Sequence, residues 1–241
     1  IRENKDGSLS TDKLNDTYNR RASNGGAIPT GYETFVNEPL FPSYATIHTA
    51  KDAFKIVTSE AGATMPMRDD QHLRVVDETI DGTYTYVGSR SGIKGEIDHE
   101  DDQGGWETYP EETRAADFDT DQDGMPDWYE KLAGTNPAAA DNNNDPDQNG
   151  WTALEDYLEF MAHPYIVINP NSQTTFDAAP WFRGFKKTSP EYSIATGSDL
   201  FTASVSGSVI NVKTNGNGGI GIITMKVKDN AGTTHEKRLS V

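Results

Sequence analysis

The chain has 241 residues, a formal charge of −17 at pH 7, a sequence pI near 4.6 and no cysteine. That length holds one large or two modest domains; the charge opposes nucleic acid and anionic membrane as partners, and the missing cysteine excludes disulfides and thiolate metal sites. No apolar run is long enough to cross a bilayer, and the abrupt opening IRENKDGSLS, without an initiator Met, reads as a processed product or a fragment of a longer polypeptide whose export signal is removed or lies upstream.

Residues 1–48 are rich in Asn, Gly, Pro, Thr and Tyr without a periodic apolar pattern, and are expected to be irregular or short-stranded. TAKDAFKIVTSEAG then predicts a helix: Thr49 and Asp52 are spaced as a capping box, Ala50, Ala53, Phe54, Val57 and Ala61 share one face, and Gly62 supplies the stop. A second helix is predicted in DDQHLRVVDETIDG, opened by Asp69 or Asp70, closed before Asp81 and Gly82, with Leu73, Val76 and Ile80 facing inward. GTYTYVGS reads as a strand, and Ile93 to Thr113 as an acidic, Gly-rich surface loop. An acidic cassette from Asp117 to Ala162 contains two helical stretches, DWYEKLAG and TALEDYLEFMA. After HPY, the segments VIN, FTASVSG, VINVKT, IGIITMKVKD and EKRLSV alternate and are β-branched, separated by NGNGG and DNAG turns, which predicts an immunoglobulin-like β-sandwich.

Within the cassette, DTDQDGMPDWYE fills each side-chain position of a twelve-residue EF-hand calcium loop: Asp119, Asp121 and Asp123 at 1, 3 and 5, Gly124 at 6, Asp127 at 9 and Glu130 at 12, with Met125 offering its carbonyl at 7. The spacing has a physical cause, since alternate residues of a tightly curled loop point inward and a carboxylate one turn into the following helix closes the oxygen shell. DPDQNGWTALED repeats the pattern less completely, with Asp145, Asp147 and Asn149 at 1, 3 and 5, Gly150 at 6, Trp151 at the carbonyl position, Ala153 at 9, and Asp156 or its neighbour Glu155 as the closing group. Upstream, DNNND places Asp141, Asn143 and Asp145 at the same alternate spacing, so that Asp141 and Asn143 are possible additional ligands that share or chain ions with the second loop. ETRAADF before Asp119 is too short and irregular for an entering helix, so the bound calcium is expected to be structural, locking the N-terminal region to the β module.

No catalytic constellation emerges elsewhere. His48, His72, His99, His163 and His235 are scattered and read as surface or packing residues. Arg20 and Arg21 read as a solvated pair, GNGGIG as a turn between strands, and Trp106 and Tyr109 in GGWETYP as packing residues in preference to a sugar platform. WFRG, Trp181 to Gly184, is expected to pack on the sandwich.

The order of four motifs carries more than any one of them. AFKIVTSEAGATMPMRDDQHLRVVDETIDGTYTYVGS, GGWETYP, DTDQDGMPDWYEKLAGTNP and DQNGWTALEDYL in succession, over about Phe41 to Met161, resemble the C-terminal portion of bacterial secreted pectate lyases of the first polysaccharide lyase family, joined to an EF-hand-like or thrombospondin-type-3-like calcium cassette. The resemblance implies a right-handed parallel β-helix enzyme that cleaves polygalacturonate by β-elimination, calcium bridging the uronate carboxylates and an arginine removing the C5 proton. The family's Trp-Ile-Asp-His strand and Arg-x-Pro-x-x-Arg segment are not found in this sequence, so no catalytic residue is carried over.

The expected fold is therefore mostly β with short helices: residues 1–113 as the C-terminal edge of a parallel β-helix with covering helices, 114–163 as the calcium cassette and 164–241 as the sandwich. The expected cofactor is Ca2+, the expected location secreted or at a bacterial cell surface, and the expected partners pectate and an N-terminal chain of the same enzyme, with no nucleic acid and no membrane insertion. A non-catalytic carbohydrate-binding, adhesive or structural assembly module is the alternative.

Overall fold

A computed structural model describes residues 44–241; the expectations for the segment before Tyr44, and for Arg20 and Arg21, lie outside the described residues. Residues His48–Val241 form one compact unit.

The first two helices form as their caps predict. α1 (Ala50–Glu60) opens on Thr49, whose hydroxyl accepts the Asp52 N–H at 3.2 Å and donates to the Asp52 carboxylate at 2.7 Å. α2 (Asp70–Asp81) opens on Asp69, which accepts the His72 N–H, and closes on Gly82 in the left-handed conformation. Val76 of α2 is buried as expected, with Leu73 and Ile80 half-buried.

The buried face of α1 is not the predicted one. Ala50, Phe54, Val57 and Ala61 are exposed, with Ala53 only half-buried, while Thr58 and Ser59 are buried. The reason is a polar dock: α1 lies on a 3-10 helix at Ala179–Phe185, the Ser59 hydroxyl accepts the Gly184 N–H at 3.0 Å, and Lys55 pairs with Asp229 and donates to Thr233 at 2.6 Å. Burying charges and hydroxyls is tolerated here because each has a partner.

GTYTYVGS is not a strand. It contributes a single antiparallel bridge, Val87 to Lys94, in a tight reversal that Gly88 and Gly92 close by hydrogen bonding. Tyr84 and Tyr86 instead sit beside Lys94 and Arg74, in cation–π contact. The acidic segment that follows holds one short 3-10 helix, Glu100–Gln103.

α3 (Asp127–Ala133) and α4 (Ala153–Met161) occupy the two helical stretches of the cassette. They share an aromatic core in which Tyr129, Phe160 and Met125 are buried and Trp128 stacks on Tyr165 at 6.1 Å between ring centroids. Tyr165 also bridges in parallel to Ser240, and Arg238 reaches Glu159 at 3.3 Å, which ties the cassette to the last strand.

Six strands follow: β1 (Gln173–Asp177), β2 (Glu191–Thr196), β3 (Phe201–Ser206), β4 (Val209–Thr214), β5 (Ile222–Lys228) and β6 (Thr234–Ser240). They form two three-stranded antiparallel sheets, ordered β1-β4-β3 and β2-β5-β6. Alternate residues Ile210 and Val212 of β4 and Ile223, Met225 and Val227 of β5 bury into one shared cluster, to which the 3-10 helix adds Phe182 and Phe185. The architecture is thus mixed helix and strand with small antiparallel sheets and, among the described residues, no closed barrel. VIN forms no strand, whereas QTTFD and EYSIAT do: their Thr, Gln and Glu content hides the period, but their register against β4 and β5 fixes them.

Candidate metal centre

The loop from Asp119 to Glu130 curls because two residues take positive φ, Gln122 at 61° and Gly124 at 100°. The reversal at Gly124 is open to glycine and strained for other residues. The curl aims backbone N–H groups at side chains: Asp119 accepts from Asp123 and Gly124 at 3.3 and 3.1 Å, Asp121 accepts from Asp123 at 3.3 Å, and Asp123 accepts from Met125 at 3.0 Å. α3 then begins at Asp127 and carries Glu130 back toward the loop.

Two groups of carboxylates result, Asp119 with Asp121 and Asp123, and Asp123 with Glu130 and Asp141, the ligand atoms in each lying within 4.8 Å of one another. Glu130 is fully buried. Its Oε1 has only a long contact to the Thr135 hydroxyl, at 3.4 Å, and Oε2 has no hydrogen-bond partner; Asp121 Oδ2 and Asp141 Oδ1 are likewise buried and unpartnered. Burial, followed by the Asp121 and Asp123 charges, pushes the Glu130 carboxyl up to about 7. Burial and the neighbouring Asp123 and Asp119 charges also raise Asp121, against backbone hydrogen bonds from Asp123 and Ala139. An uncompensated buried charge costs roughly several kcal/mol, so these carboxyls must be neutralised by protonation or by a cation, and the two groups could hold one. The donors are all carboxylate oxygens, a set that suits hard divalent ions.

Of the remaining first-loop residues, Met125 is buried in the aromatic core, and Asp127 is turned onto Thr120, accepting its N–H and its hydroxyl at 2.9 Å each, with Lys131 at 3.7 Å. Asp141, expected beside the second loop, groups with Asp123 and Glu130 of the first.

The second loop copies the first twenty-six positions downstream. Gln148 and Gly150 have φ of 58° and 93°, Asp145 accepts from Asn149 and Gly150 at 3.1 and 3.0 Å, Asp147 accepts from Asn149 at 3.3 Å, and Asn149 accepts from the Trp151 N–H at 2.8 Å. The backbone is ready, but the chemistry differs. Asn149 replaces an aspartate and donates to Asp147 and to Asp156, and the loop carboxylates are exposed, so among the described residues this loop assembles no group of three carboxylates. Glu155 is engaged in a capping box, accepting the Thr152 N–H at 2.8 Å and its hydroxyl at 2.9 Å, while the Thr152 hydroxyl accepts the Glu155 N–H. Asn143 donates to the Asn142 side chain at 3.2 Å, and Trp151 is exposed.

The histidines serve local contacts. His72 meets Asp69, His99 caps the 3-10 helix at Glu100–Gln103, His163 meets Glu159 and His235 meets Glu60. Trp106 and Tyr109 are exposed, contrary to the packing role expected of them; Tyr109 reaches Asp69 with its hydroxyl at 3.4 Å. Of WFRG, Phe182 fills the core, Trp181 stacks on Phe176 and Arg183 pairs with Asp77. No family model matches the chain, and neither a curated protein nor a solved structure matches it.

Proposed function

We propose that this chain is the calcium-locked C-terminal part of a secreted, pectate-lyase-like polysaccharide lyase, whose catalytic residues belong to an upstream segment or chain. Two independent supports meet in this reading. The cation rests on Glu130, buried with an unpartnered oxygen beside Asp121, Asp123 and Asp141. Calcium is the member of the hard-cation class that the one-three-five-twelve carboxylate spacing fits. The lyase rests on the ordered set of four motifs between Phe41 and Met161.

In this reading residues 1–113 close the C-terminal edge of a parallel β-helix, the cassette is a structural clasp, and the two-sheet unit is an immunoglobulin-like appendage. The clasp role is supported by what the cassette touches, because α3 and α4 share a core with Tyr165 and Ile220 at the border of the two-sheet unit. The ion in the clasp is distinct from the one that would acidify C5 of the substrate, which needs residues outside this sequence.

The test uses polygalacturonate. Material containing every co-purifying chain should release unsaturated product in the presence of calcium, and this chain by itself should not. Retention on pectate with no activity in the complete material would favour the non-catalytic binding module instead.

A further inference from the structure

The twelve-residue template leaves the first ion one carboxylate short, because Asp127 at position 9 is held outward by Thr120 and Lys131. A replacement comes from beyond the loop. Gly134 ends α3 in the left-handed conformation, and the turn that follows, closed by the Ala139 N–H on the Asn136 carbonyl at 3.0 Å, brings the chain back over the site. There the backbone N–H groups of Asp141 and Asn142 donate to Asp123 Oδ2 at 3.2 and 3.1 Å, and the Asn142 amide donates to the Asp123 carbonyl at 2.9 Å. One Asp141 oxygen, Oδ2, is fixed by the Asn136 N–H at 3.2 Å; the other, Oδ1, is buried without a partner, and the Asp141 carboxylate stands in one group with Asp123 and Glu130. A carboxylate with one oxygen tied to backbone and the other aimed at buried like charges is oriented as a ligand.

We infer that Asp141 is a ligand of the first-loop cation, which lies where the two carboxylate groups meet at Asp123, so that the ion clamps the segment between the two loops and, through it, orders the second. The mechanical link is direct. Asn142 accepts the Leu154 N–H at 3.0 Å and Asn144 accepts the Ala153 N–H at 2.8 Å, so the start of α4 and the closing half of the second loop hang on the strand of chain that Asp141 anchors. The second loop has the backbone curl of a cation loop without a buried carboxylate cluster of its own, and its order is borrowed from the first.

This inference rests on the calcium reading of the first loop and deepens it. The experiment is calcium titration of the full chain by calorimetry, with hydrogen exchange of residues 145–161 read at saturating calcium, for the unaltered protein and for Asp141→Asn, Asp119→Asn and Asp145→Asn. Asp141→Asn should weaken the tightest calcium step by about tenfold or more, as loss of a charged ligand does, and should speed exchange in residues 145–161. Asp145→Asn removes the same charge from the neighbouring exposed loop and should leave that step unchanged. If Asp141→Asn binds calcium as tightly as the unaltered chain while Asp119→Asn does not, Asp141 is no ligand and the inference falls while the calcium reading stands. Equal weakening by Asp145→Asn and Asp141→Asn would reduce the effect to general charge and overturn it as well. No calcium binding by the unaltered chain would overturn both.

Discussion

Gly184 lies so close to Lys55 that a Cβ built on it would stand 1.9 Å from the Lys55 carbonyl oxygen. That contact is what lets α1 settle on the 3-10 helix with Ser59 bridging the two: its hydroxyl donates to the Lys55 carbonyl at 2.9 Å and accepts the Gly184 N–H. Gly184→Ala should therefore destabilise the protein by about 1–3 kcal/mol, the range for overpacking a tight contact. Ser59→Ala, which strands the buried Gly184 N–H, should cost about 1–3 kcal/mol. Urea unfolding of both variants checks this; a Gly184→Ala protein as stable as the parent would show that α1 is not docked where it is described.

Glu130 yields a prediction whose sign depends on calcium. With the ion bound, Glu130→Gln removes a ligand and should lower the melting temperature. In chelator, the same change removes a buried charge that Asp121 and Asp123 repel, and should raise it. Melting curves of the two proteins in calcium and in chelator should cross over. For the parent protein, calcium at a hundred times its Kd should add about 2.7 kcal/mol, and identical melting with and without chelator would remove the metal centre.

The contrast between α1 and the first loop shows what the sequence could and could not carry. Caps, turns and loop spacing are local, so Thr49, Gly82 and the alternating aspartates were legible, and the start of α2 was narrowed to Asp69 or Asp70, of which Asp69 is the cap. The face on which α1 packs is not local. Its apolar stripe argued for Phe54 and Val57 inward, yet Lys55 and Ser59 face the rest of the unit because Asp229, Thr233 and the Gly184 backbone, more than a hundred residues on, offer them partners. The spacing of DNNND marks Asp141 as a possible ligand, but beside the second loop; its grouping with Asp123 and Glu130 was not legible for the same reason, since a twelve-residue template cannot register a group that returns to the site through a turn.

Two carboxylates make the docking of the helices acid-sensitive. Hydrogen bonding by Arg183, then Lys186, holds the Asp77 carboxyl down to about 2, and Glu60 is also held to about 2, where burial would raise it but hydrogen bonds from His235 and Lys237 prevail. Both values lie below those of the unfolded chain, near 4, so the stability they contribute is complete above about pH 5 and is lost as the pH falls through 4 toward 2. Asp77→Asn combined with Glu60→Gln should thus lower the melting temperature at pH 7 and flatten its decline between pH 5 and 2.5. An unchanged slope in the double variant would mean that other groups govern the acid transition.

Glu155 and Asp156 are adjacent candidates for closing the second loop, and the structure gives them different work. Glu155 completes the capping box of α4 with Thr152, and those hydrogen bonds hold its carboxyl below the usual range. Asp156 instead stands 3.4 Å from the Asn149 amide, on the loop. Glu155→Ala should then lower stability by the same amount in calcium and in chelator, since a cap does not depend on an ion. Asp156→Asn should leave stability in chelator unchanged, and any effect it has should appear only when calcium is added. Chemical denaturation of both variants under the two conditions separates the roles. A calcium-dependent loss for Glu155→Ala would make Glu155 a ligand and would require α4 to be capped in some other way.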